Sequence, residues 1–160
     1  MPNVRDVITE VEFLIGTNPF EASSDPFDGT NAVKAARLNE GDRPTDEAET
    51  ATNIDGRETA AGHTSSVTYA IKKKTGTEAI IDALINAEDD NEQVWVKETY
   101  RPQGSGGTEY TQIFGDKNTG ASVMIEESGE GFGGFQLYNV QLQSSSARAG
   151  QLINDEPTYS

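Results

Sequence analysis

Residues 61–85, AGHTSSVTYAIKKKTGTEAIIDALI, constrain the fold more than any other stretch of the chain. After the turn at Gly62, Val67, Tyr69 and Ile71 share one face of a strand spanning Ser66–Lys72, the period-two pattern of a half-buried strand. Lys72-Lys73-Lys74 and Thr75-Gly76-Thr77 then turn the chain. Thr77 is placed to cap a helix, Thr77–Ala87, with Ala79, Ile80, Ala83 and Leu84 on one stripe and Ile81 and Ile85 broadening it. Ile80, Ala83 and Leu84 are its expected core. Elsewhere the clear periodicity is that of strands, so this one helix must cover a face or an edge of a sheet.

The strands follow from alternation. Thr9–Ile15 sets Val11, Phe13 and Ile15 against Glu10, Glu12 and Leu14, and Gln93–Tyr100 sets Val94, Val96 and Tyr100 against Trp95. Thr108–Phe114 and Ala121–Glu126 flank the turn GDKNTG, and Phe135–Gln143 follows the turn GEGFGG. Asn31–Leu38 reads equally as a short helix or a strand. Six or seven strands with one helix predict an all-β domain, a sandwich or barrel, over residues 1–160. Around it, residues 16–30 form a polar loop whose Phe20 and Phe27 should dock. Residues 38–62 form a long arm, and residues 144–160 form a polar C-terminal tail.

Twenty-seven acids against twelve bases give a net charge of −15. Free nucleic acid should be repelled. Salt adaptation is the alternative source of such acidity. Hydrophobic residues make up 34% of the chain, low for a compact globule, which favours long polar loops around a modest core. There is no cysteine, so no disulfide or thiolate metal site. The N-terminus does not read as a signal peptide, and no apolar run approaches the ~20 residues of a bilayer span.

No constellation carries catalytic chemistry. His63 is the only histidine and lacks a triad or metal partner in sequence. GEGFGG imitates a phosphate loop but leads into a strand, not a helix. Glu88-Asp89-Asp90-Asn91-Glu92 lacks the spacing and central glycine of a calcium loop, and acids at a helix C-terminus oppose its dipole. They are either simply solvated or a negative surface that function uses. The three lysines make a weak phosphate footprint against the overall charge. Paired carboxylates for glycoside hydrolysis are not singled out by any motif. No enzyme activity, cofactor or metal is expected.

Asp55-Gly56 through Arg101-Pro102 resembles the central block of lambda-like siphophage major tail (tail tube) proteins. The matching pieces are a glycine turn, Ala61-Gly62-His63-Thr64-Ser65 feeding a strand, and a turn with Gly76. The helix with Ala83-Leu84, an acidic turn and the strand Val94–Tyr100 complete it. Later strands continue the likeness through Ala147-Arg148-Ala149-Gly150, and the long Gly16–Thr30 loop departs from it. The resemblance implies a β-sandwich flanked by a helix, homo-hexameric rings stacking into a hollow tube, and DNA passing through without specific binding. It also implies tape measure, tail terminator and distal tail proteins as partners, and residence in the virion tail after assembly in the host cytoplasm. Leu38, Arg43, Glu47, Asp55 and Arg57 would lie on an inter-subunit arm. Glu10, Glu12 and Glu109 would supply a repelling lumen wall. The tube or ring protein of a contractile tail or secretion system shares this fold and is one alternative. An acidic β-sandwich binding module, such as a capsid decoration or adhesin domain, is another.

Overall fold

The computed structural model describes residues 7–34, 38–39, 47–52, 58–102, 108–130 and 136–159. Ten strands and one helix lie among them: β1 (Val7–Ile15), β2 (Ala32–Lys34), β3 (Leu38–Asn39), β4 (Glu47–Thr52), β5 (Glu58–Lys72), α1 (Glu78–Asp89), β6 (Val94–Arg101), β7 (Tyr110–Phe114), β8 (Ser122–Glu130), β9 (Gln136–Ser146) and β10 (Ile153–Asp155). The strands make two open antiparallel sheets rather than a closed barrel. Sheet A runs β10-β7-β6-β1-β2 and sheet B runs β3-β5-β9-β8, with β4 also paired to β5. A bridge between Val94 and Ala121 ties the start of β6 to the strand leading into β8.

The core lies between the sheets, where alternation predicts it. Val11, Phe13, Val96 and Phe114 from sheet A meet Val67, Tyr69, Ile71, Val140 and Leu142 from sheet B. The Phe13 ring meets that of Tyr69 edge-on at 5.7 Å, a favourable geometry for aromatic quadrupoles. Helix α1 closes the remaining side against β8. Its buried residues are Ile80, Ile81, Leu84 and Ala87, an i, i+1, i+4, i+7 stripe. Ala83 is half-buried and Ala79 exposed, so the stripe is rotated towards Ile81 from the expected one.

Thr77 occupies the N-cap position but makes no side-chain cap bond. Its hydroxyl lies 2.6 Å from the Lys72 carbonyl and accepts the Lys74 amide at 3.0 Å. It therefore fastens the basic turn to the end of β5 instead of satisfying the helix.

Three expectations change. Strand β5 begins at Glu58, not Ser66, and the span read as one long arm contains β3 and β4, with β4 paired to the first half of β5. Alternating small and polar residues such as EAETAT carry little hydrophobic signal, so sheet pairing decides their conformation. Of the arm residues, Arg43, Asp55 and Arg57 fall outside the described residues, and Leu38 and Glu47 are described in backbone only. Within Asn31–Leu38, Ala32–Lys34 form β2 and Leu38 opens β3, while residues 35–37 lie outside the described residues. The polar tail is not a tail: Ser144–Ser146 continue β9, Leu152 is fully buried, and β10 pairs with β7. One well-placed leucine anchors a segment whose average composition reads as solvent-exposed.

Candidate functional site

The outer face of sheet A, opposite the core, is covered by the chain itself. Leu14, Trp95 and Ile113 emerge there and pack with Phe27 and Phe20 of the 16–31 loop. Asx turns at Asn18 and Asp25 shape that loop, their side chains accepting the Phe20 and Phe27 amides at 2.8 and 2.9 Å. Lys97 sits over the Phe27 ring at 4.5 Å and pairs with Glu156 at 3.4 Å. Glu156 also accepts the Thr111 hydroxyl at 3.0 Å, so the C-terminal segment is held against the same face. Burial, reinforced by the charges of Glu156 and Asp25, pushes the Tyr159 hydroxyl pKa well above its usual value.

This cover decides the fate of one expected lumen acid. Glu12 is 5% exposed and accepts the Gly29 amide at 2.9 Å. Burial raises its pKa, against the opposing effects of that amide and of Lys97. A wall residue must face solvent, so Glu12 cannot serve in this subunit. Glu10 is half-buried and pairs with Lys34 at 2.7 Å. Glu10 and Glu109 both raise the Lys34 pKa, and the charge of Glu10 also reaches Glu12, so the three acids are neighbours, of which Glu109 alone is exposed.

The 115–120 turn is organised around Trp95, whose indole N–H donates to the Asp116 carbonyl at 2.9 Å. A Cβ on Gly115 would lie 2.8 Å from the indole, and one on Gly120 3.0 Å. Both glycines have positive φ, so backbone conformation and ring clearance each require them. Asp116 Oδ2 accepts the Asn118 and Thr119 amides at 2.9 and 3.0 Å. Burial opposes its charge, yet those amides, together with the Ser146 and Thr119 side chains, hold its carboxyl below the ordinary carboxylate pKa. Ser144 accepts the Asp116 amide and donates to the Gly120 carbonyl. Beside this turn lies a polar hollow of about 270 Å³, lined among others by Glu92, Gln93, Ser122, Gln143 and Ser145.

A second buried polar network escaped sequence reading. Glu98, 1% exposed, projects from β6 into the core, where its two oxygens accept the Tyr69 and Tyr100 hydroxyls at 2.7 and 2.6 Å. Tyr69 belongs to sheet B and Glu98 to sheet A, so the bond ties the sheets together. Tyr100 stacks on Tyr110 at 5.3 Å. The available signal was parity: Glu98 shares the face of Val94, Val96 and Tyr100.

At one end, the β4–β5 pair extends past the sheet. Strand β9 accompanies β5 only from His63 onward, while β4 pairs with β5 from Glu58 to Thr64. The register slips at Ala61, a β-bulge, and Gly62 there has φ +113° with Ser146 O 2.9 Å from where a Cβ would sit. A bulge increases local twist and re-aims a ribbon. The other edges are blunted. Strands β2 and β10 span three residues each. On β8, the Ile125 amide donates to Glu88 in the last turn of α1 at 2.7 Å, a use for one acid of the Glu88–Glu92 cluster. Among the described residues no group of three or more His, Cys, Asp or Glu could hold a metal, and no helix is long and apolar enough to cross a membrane.

No family model matches the sequence, and no curated protein matches it. Among solved structures, the chain is similar to a chain in the cryo-EM structure of the anti-feeding prophage (AFP) baseplate, 6-fold symmetrised. The identity is 12% and the TM-score 0.44, over 99% of each chain.

Proposed function

We propose that this chain is a structural subunit of a phage-tail-like particle, and within it the tube: six copies close into a ring, rings stack, and DNA passes through without specific binding. What carries this reading is where the tail-tube-like block falls. Asp55–Pro102 supplies β5 of sheet B, helix α1 and β6 of sheet A, the continuous unit that joins both sheets. The resemblance therefore rests on the framework of the domain rather than on a peripheral turn.

Further support comes from the β4–β5 ribbon, which reaches past its own sheet as an element meant to touch a neighbour would. The net charge of −15 suits a channel that must not grip a polyanion. Tape measure, terminator and distal tail proteins are the partners such a subunit would meet in a virion. The test is electron microscopy of the purified protein across concentration and salt. Six-fold rings or tubes are expected; a monodisperse monomer under every condition would overturn the proposal.

A further inference from the structure

Sheet B carries a face that the chain leaves open and almost uncharged. Register places Ser66, Gln143 and Ser122 in one cross-strand row and Thr68, Gln141 and Met124 in the next, all pointing away from the core residues Val67, Leu142 and Val123. The following row, Ala70–Asn139–Glu126, adds the only carboxylate of the three rows. Charged residues make up 24% of the chain, and outward strand positions are where they normally collect. Ser66, Thr68, Ser122 and Gln143 are exposed. In their midst Met124 is 52% exposed, the one exposed large hydrophobic among the described residues. The face runs into the polar hollow through Ser122, Gln143 and Ser145.

We infer that this face of β5, β9 and β8 docks a second copy of the same chain; the inference rests on the structural-subunit reading. Two chains of charge −15 repel wherever their acids meet, and here they approach with least like-charge cost. Charge depletion with an adaptable methionine is also the composition of an interface core. Other occupants fit less well. Nucleic acid would need cations, a cationic partner would seek acids, and a sugar would need an aromatic platform, which these rows lack. Three strands ~4.8 Å apart and roughly 17 Å long over these rows give roughly 240 Å². A standard interface uses about 800 Å² per partner. A single contact of this kind is weak, and it becomes effective when repeated through an array.

The chain has no cysteine, so one introduced thiol reports its own surroundings. Thr68→Cys should react with a maleimide at the rate of an open thiol in the dispersed subunit and at least tenfold more slowly in the assembly. A Ser24→Cys control in the exposed loop gives the reference rate. Independently, Thr68→Glu with Gln141→Glu should keep the parent circular dichroism and melting temperature while abolishing assembly. Assemblies in which Thr68→Cys labels at the dispersed rate, or a double variant that assembles like the parent, would overturn the inference and leave the structural-subunit reading standing. A parent chain that never assembles would overturn that reading, and this inference with it.

Discussion

Asp116 is 5% exposed, and two backbone amides and two hydroxyl groups outweigh the burial that opposes its charge. An acid whose folded pKa is depressed contributes stability that is fully present above its unfolded pKa, ordinarily 3.8. That contribution is lost as pH falls through the lower folded value. Asp116→Asn should therefore cost roughly 1.5–3 kcal/mol at pH 7, the range for hydrogen bonds to a charged group. The deficit should shrink below about pH 4. Urea melts at pH 7 and pH 3 decide it; an equal deficit at both would assign the loss to packing. Glu12 has the opposite sign. Burial raises its pKa, so its contribution is present at low pH and lost as pH rises through the folded value. Glu12→Gln keeps an acceptor for the Gly29 amide and removes the buried charge. We expect it to be at least as stable as the parent at pH 7, and a variant clearly less stable there would show that the charge interacts favourably with Lys97.

Helix α1 holds the sandwich through a few residues. Leu84 is fully buried, and Leu84→Ala should cost roughly 2–5 kcal/mol, the range for buried leucines. Ala79→Ser on the exposed side should stay within about 0.5 kcal/mol. Chemical denaturation of the two variants locates the packed stripe, and equal stabilities would mean the helix is turned differently. The β4–β5 ribbon depends on Gly62 in a comparable way. Its positive φ and the nearby Ser146 carbonyl leave no room for a Cβ, so Gly62→Ala should destabilise by roughly 1–3 kcal/mol. Hydrogen exchange should show the loss first at the β4–β5 pairing. Faster exchange confined to β6 and β7 would contradict that coupling.

At the scale of the whole molecule, charge sets the conditions for association. Each copy carries −15, and the screening length falls from about 30 Å at 0.01 M salt to about 3 Å at 1 M. Self-association should therefore begin at lower protein concentration as salt rises, as sedimentation velocity would show. Association that weakens with salt would mean that ion pairs, not a neutral face, hold copies together. Buried Glu98 acts at this scale too. By bonding tyrosines of both sheets it fixes how the sheets lie on each other, a polar constraint within an apolar core.

Part of this structure depends only on neighbours along the chain. The inward positions of β1, β6 and the second half of β5 follow from alternation of Val, Phe, Tyr and Ile with polar residues. The helix follows from the 3.6-residue spacing of its apolar positions. The glycine turns follow from residues able to adopt positive φ. Tertiary structure decided whatever rests on partners distant in sequence. EAETAT becomes β4 because β5 supplies its hydrogen bonds. The C-terminal segment becomes β10 because Leu152 finds the core and β7 offers an edge. Glu12 loses its place on an acidic wall because a loop seventeen residues away donates the Gly29 amide to it, and Glu98 is buried because two tyrosine hydroxyls meet it there. Burial, and with it the charge a residue can express, belongs to the pair of surfaces that close over it. No local pattern encodes that.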